Sequence, residues 1–151
     1  VFARNALLSF TAPYRGKKIQ PSMFWGTFDM TAVLFAGVEK PFPGNGIIEK
    51  VAFDEQFVEF GFWPGDETNE DPSFFVLAYP FLESGMDAHA ISPKEAIYSK
   101  EKKEYFLKLK DAAQYEKPLE VIENFCKDTF MAIAKEEQWD NLEWFVKPLL
   151  V

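Results

Sequence analysis

Cysteine, histidine and surplus positive charge are scarce in this chain of 151 residues, and each scarcity removes a class of function. A single cysteine, Cys126, excludes an internal disulfide and fits a reducing compartment, so the expected location is the cytoplasm. It falls on the apolar stripe of a predicted helix and reads as a buried structural thiol rather than a nucleophile. The one histidine, His89, falls in a predicted loop, and general-base work would need a positioned partner that the sequence does not name. There is no Gly-rich phosphate loop, no metal-ligand spacing of His and Cys and no Ser-His-Asp set. Neither a cofactor nor a metal is therefore expected.

Cations are outnumbered, with 16 Lys and Arg against 24 Asp and Glu, a formal charge of −8. That balance argues against nucleic acid, because phosphate binding rests on clustered Lys and Arg. The locally basic Lys100 to Lys110 segment is interrupted by Glu101 and Glu104 and reads as a solvated face. No apolar run approaches ~18 residues and no basic amphipathic helix is present, so no membrane contact is expected.

What the chain does have is phenylalanine, 17 of them, which require a well-packed interior or a partner to cover them. The length suits a single domain over residues 1–151. Val1 to Phe10 begins directly in a helical pattern without an initiator Met or N-cap, so the chain is expected to be a piece of a longer protein. Pro13 and Gly16 should end that helix near Ala12, leaving Arg15, Lys17 and Lys18 as a small positive collar.

Met23 to Ala36 reads as one long strand. Phe24, Gly26, Phe28, Met30, Ala32, Leu34 and Ala36 give it an apolar face; Trp25, Thr27, Asp29 and Thr31 belong to a mixed one. Gly37 to Lys50, with Pro41, Pro43, Gly44 and Gly46, is turn chemistry. Phe53 to Trp63 alternates again, and Asp66 to Pro72 reads as a solvated acidic hairpin loop. Ser73 to Pro80 is apolar on both faces, the mark of a strand covered on both sides.

Ser92-Pro93-Lys94-Glu95 has the form of a capping box, which predicts a short helix to about Tyr98. Tyr105 to Lys110 then alternates as an edge strand; one long helix from Pro93 to Gln114 is the competing reading. Pro118 opens the clearest helix, with Ile122, Phe125, Cys126, Thr129, Phe130 and Ile133 on one stripe. Trp139 to Val151 predicts a short helix stopped at Pro148 and lying over the core.

Phe24-Trp25-Gly26-Thr27-Phe28-Asp29, Gly61-Phe62-Trp63-Pro64-Gly65 and Ala78-Tyr79-Pro80 occur in an order that resembles the bacterial family catalogued as domain of unknown function 5996. Arg15-Gly16-Lys17, Ala96-Ile97-Tyr98-Ser99 and Trp139-Asp140 extend the resemblance over most of the chain. It implies a longer parent protein of which this is the C-terminal half, and it brings no established activity. Ser22-Met23 stands where the family pattern has a His, and Gln56 among acidic residues where it has a His-Glu pair. These departures argue against a histidine-based mechanism.

Pairing the two long strands antiparallel so that their apolar faces coincide sets Phe28 opposite Phe60, Met30 opposite Val58, and Phe62 over Gly26. The other face then carries Trp25 beside Trp63 and Asp29 beside Glu59. Facing carboxylates repel, and one of them holding a proton near neutral pH is the condition for general acid and base to coexist. The alternative is that both accept structural hydrogen bonds while the rings pack.

The expected fold is α+β, an antiparallel sheet of about four strands with helices from the two chain ends on its Phe28 face. Two functions are expected. One is a small-molecule-binding domain, enzymatic or not, whose ligand-binding residues are Trp25, Thr27, Asp29, Glu59, Trp63 and Tyr79, with Asp29 and Glu59 as catalytic candidates. The other is a structural or interaction module whose aromatic face packs on an N-terminal half of the same protein or on a second copy in a homo-oligomer.

Overall fold

The helix expected from Pro118 forms over Pro118–Glu136 (α4), and its stripe Ile122, Phe125, Cys126, Thr129, Phe130 and Ile133 is buried throughout. The computed structural model that shows this describes residues 1–68, 71–83 and 85–147. The N-terminal helix spans Phe2–Thr11 (α1) and buries Ala6, Leu7 and Thr11. Its C-terminal carbonyls are capped by a cation: Lys18 Nζ donates to the oxygens of Thr11, Ala12 and Tyr14 at 2.8, 2.8 and 3.1 Å. Part of the expected positive collar is therefore a helix cap.

The expected long strand is two. Lys18–Phe24 (β1) and Asp29–Glu39 (β2) form an antiparallel hairpin around a turn at Trp25 to Phe28. Phe28 takes a left-handed φ of 61° and donates its N–H to Phe24 O at 2.7 Å. Local side-chain bonds favour the turn: the hydroxyls of Thr27 and Thr31 both donate to the Asp29 carboxylate between them. Phe28 is consequently 58% exposed rather than core, and a Cβ on Gly26 would meet nothing within 4 Å, so Phe62 does not lie over it.

Glu55–Trp63 (β3) pairs with β2 in a register four residues away from the expected one: Met30 faces Phe62, Ala32 faces Phe60 and Leu34 faces Val58. The faces are as expected and the partners are not. A register shift between Phe35 and Glu39, with Gly37 at a φ of 74°, and a helix at Ile47–Ala52 (α2) lengthen the connection that the turn residues implied. Ser73–Tyr79 (β4) is interior, as its two apolar faces imply.

The short helix expected from the Ser92 capping box to about Tyr98 does not form. The Ser92 N–H goes to Asp128 Oδ2 on α4 at 2.9 Å, a single turn closes from Ala96 N–H to Pro93 O, and Ile97–Ser99 (β5) pairs with Glu104–Lys108 (β6). The expected edge strand is thus internal, with β5 outside it, and Leu109–Ala112 (α3) follows. The sheet has six strands, not about four, all antiparallel in the order β1-β2-β3-β4-β6-β5. The additions are the split hairpin and β5.

α1 and α4 pack on the face bearing Leu34, Val58, Phe60, Val76 and Leu107. Phe60 has no exposed surface; its ring lies 4.7 Å from Phe10 and 6.2 Å from Phe130. Burial of each such side chain contributes roughly 1.5–3 kcal/mol. Burial also holds the Cys126 thiol far above its ordinary pKa, which makes it an inert part of this core. Leu142–Phe145 (α5) lies over the core edge, where Phe145 stacks on Tyr14 at 5.3 Å; Pro148, Leu149 and Leu150 lie outside the described residues. None of the described helices is long and apolar enough to cross a membrane.

The acidic loop is only partly solvated. Asp71 binds Lys108 at 2.8 Å and Lys110 at 2.9 Å, and these bonds hold its carboxyl below the usual range, whereas Asn69 and Glu70 lie outside the described residues.

Candidate functional site

The second face of the sheet divides into two regions. At one end Val33, Phe57 and Tyr79 form a small separate core with Phe35, Phe42, Phe53 and Leu77 packed against it. Tyr79 belongs here. Its ring lies 5.0 Å from Phe53 and 5.6 Å from Phe57, and its hydroxyl donates to Lys40 O at 2.9 Å.

At the other end the face opens into a depression of about 420 Å³ lined by Thr27, Asp29, Glu59, Trp63, Phe75, Leu77, Lys102, Glu104 and Phe106. Each strand contributes through the two-residue alternation of its side chains. β2 brings Asp29, β3 brings Glu59 and Trp63, β4 brings Phe75 and Leu77, and β6 brings Glu104 and Phe106. The cross-strand row Val33, Glu59, Leu77, Glu104 places the two glutamates on either side of one leucine. Gly61, on β3, lies opposite Phe75: a Cβ there would come within 2.1 Å of the Phe75 ring, so the missing side chain is what lets that ring lie down.

Four of the six expected residues, Thr27, Asp29, Glu59 and Trp63, line this depression together. Trp25 does not; it is 76% exposed on the hairpin turn and meets Phe28 edge-on at 5.9 Å. Tyr79 does not either, since it is consumed by the neighbouring core. Nor do Asp29 and Glu59 face each other, because Val33 is the residue opposite Glu59 and Asp29 lies two same-face positions further along β2.

The three carboxylates differ in kind. Asp29 is buried, with 6% exposure, and both of its oxygens accept threonine hydroxyls. Glu59 is partly buried, and its side chain has no hydrogen-bond or ion-pair partner among the described residues. Its pKa is pushed up to about 7, first by burial and then by the charges of Asp29 and Glu104. Burial also raises Glu104, against an opposing pull from Lys102. Lys102 reaches over the depression from the β5–β6 turn, its ammonium 5.5 Å from the Trp63 ring centre and 5.4 Å from that of Phe106. Among the described residues no three His, Cys, Asp or Glu side chains are grouped to hold a metal ion.

Lys102, Glu104, Phe75, Leu77 and Phe106 escaped the sequence reading of the site. The alternation of Glu104, Phe106 and Lys108 is a signal that the three share a face, but not that the face is this one. His89 lies elsewhere: its Nε2 is 2.7 Å from Glu136 Oε1, the partner that the sequence does not name.

The three aromatic motifs thus lie on four neighbouring strands, at the β1–β2 turn and at the ends of β3 and β4. The model of a family described as "Family of unknown function (DUF5996)" matches residues 1–144. The chain belongs to that family. The match spans every residue of the depression in this DUF5996 chain. No curated protein and no solved structure matches it.

Proposed function

We propose that this DUF5996 domain binds a small molecule in the depression, with Glu59 as its proton donor or acceptor. One observation carries the reading: a partly buried carboxyl that lines the depression without a protein partner, raised to about 7 beside a second carboxylate fixed by two hydroxyls. A purely structural glutamate at a sheet position would be expected to find a hydrogen-bond donor or to be replaced by an apolar residue. Two carboxyls in different environments are suited to different tasks, Asp29 as a fixed acceptor and Glu59 as the exchangeable proton. Trp63, Phe75 and Phe106 supply the apolar walls that ligand sites usually have.

The test is a fragment screen by NMR on the parent and on Glu59→Gln. Fragments are expected to shift the Trp63 indole resonance in the parent and to bind more weakly to the variant. Hits that cluster instead in the apolar groove of about 290 Å³ between Phe10, Tyr14, Phe130 and Phe145 would contradict the reading.

A second reading is favoured by other side chains. Trp25, Ile47, Ile48 and Val51 are 76–82% exposed, which suits a module covered by the N-terminal half of a longer protein, with a homo-oligomer as the other outcome. Sedimentation of the chain at rising concentration separates the two: self-association into a defined oligomer supports the second copy, and aggregation relieved by an added N-terminal half supports the longer protein.

A further inference from the structure

Lys102 stands in an exposed turn, and its ammonium reaches over two rings, 5.5 Å from the centre of Trp63 and 5.4 Å from that of Phe106. It lowers the pKa of Glu104 through space but makes no close ion pair among the described residues. The best place for a positive charge in the depression is therefore held by a cation on a flexible four-carbon stem. Around it stand three carboxylates against this one lysine, and neither Glu59 nor Glu104 has a side-chain hydrogen bond among the described residues.

We propose that the depression takes an organic cation, a small compound bearing an ammonium or amidinium group, and that Lys102 is an internal stand-in which this ligand displaces. The proposal rests on the ligand-binding reading above and names its substrate class. The ligand's N–H groups supply the donors that Glu59 and Glu104 lack, while Trp63 and Phe106 receive its charge on their faces. A neutral ligand of the same shape leaves the charge of these partly buried carboxylates unmatched, and an anion is repelled by them. Displacement is easy on the lysine's side, because an exposed turn lets its side chain swing into solvent.

The groups that face Glu59 are Asp29 from β2, Glu104 from β6 and Lys102 from the β5–β6 turn. A cation added to this set favours ionised Glu59, so binding releases protons and tightens as pH rises through neutrality.

The probes are benzylammonium and its neutral isostere benzyl alcohol, titrated by NMR into the full chain, Lys102→Met and, as a charge control at an exposed position, Lys94→Met. Lys102→Met is expected to bind benzylammonium about tenfold more tightly than the parent, as removal of a competing cation–π contact allows, with Lys94→Met unchanged. An unchanged or weakened affinity in Lys102→Met overturns the stand-in. If benzyl alcohol shifts Trp63 and benzylammonium binds no better, the cation is the wrong class while the ligand site survives. If neither probe shifts Trp63, the ligand site falls as well.

Discussion

Phe60 and Glu59 are neighbours in β3 and face opposite worlds. Phe60 points at α1 and α4, has no exposed surface and is surrounded by rings. Glu59 points into a depression that none of the described helices covers, with its carboxyl raised to about 7 and no partner. The helix-bearing face follows the rules of stability, apolar groups closely packed. The other face departs from them, with a partly buried acid set among rings and given no protein donor, and such departures concentrate at functional sites.

Changes to the two faces should therefore behave differently. The largest effect belongs to the covered face: Phe60→Ala should lower unfolding free energy in urea by roughly 3–5 kcal/mol at any pH near neutral, through lost burial and the cavity left behind. Glu59→Gln should do the reverse, and only at high pH. Between its ordinary 4.5 and about 7, the folded chain holds a proton that the unfolded chain has lost. Stability from this group is complete below pH 4.5 and is lost as pH rises through 7. The variant should match the parent at pH 4 and exceed it at pH 8 by up to about 3 kcal/mol. Glu137, which burial also raises to about 7, should leave the variant a residual loss of the same sign.

Gly61→Ala sharpens the contrast on the bare face, because the new methyl must lift the Phe75 ring. A cost of about 1–3 kcal/mol is expected, together with weakened binding of any fragment that shifts Trp63. The smallest effect should come from Lys18→Met, which leaves three carbonyls at the end of α1 without their cation. About 1 kcal/mol is expected, seen as a fall in Tm of about 2–4 °C in calorimetry.

The contrast also governs how much the sequence could reveal. α4 was legible because Ile122, Phe125, Cys126, Phe130 and Ile133 repeat at helical spacing, and one packed face suffices to produce that repeat. The two faces of β2 and β3 were legible for the same reason at a period of two. The turn at Trp25 to Phe28 was not, because strand-forming aromatics fill it and what favours it is the pair of hydroxyl bonds to Asp29, which leave no periodic trace. Nor was α2, hidden behind turn residues and burying nothing.

At the site, Thr27, Asp29, Glu59 and Trp63 share a face by alternation alone, so local sequence could group them. Lys102 and Glu104 join them only through the pairing of β6 with β4, a contact between segments about thirty residues apart in the chain that no local pattern encodes. Trp25 and Tyr79 fall outside the depression, and the sequence could not separate them from Trp63, because an aromatic residue looks the same in sequence whether it lines a depression, caps a turn or fills a neighbouring core.

The central claim is that Glu59 is held at the edge of ionisation by its place on the uncovered face. Titration of its side-chain carboxyl carbon by NMR, assigned by comparison with Glu59→Gln and Glu137→Gln, tests this directly. A midpoint at about 7 that belongs to Glu59 is the predicted result. A midpoint near the ordinary 4.5 would contradict the account.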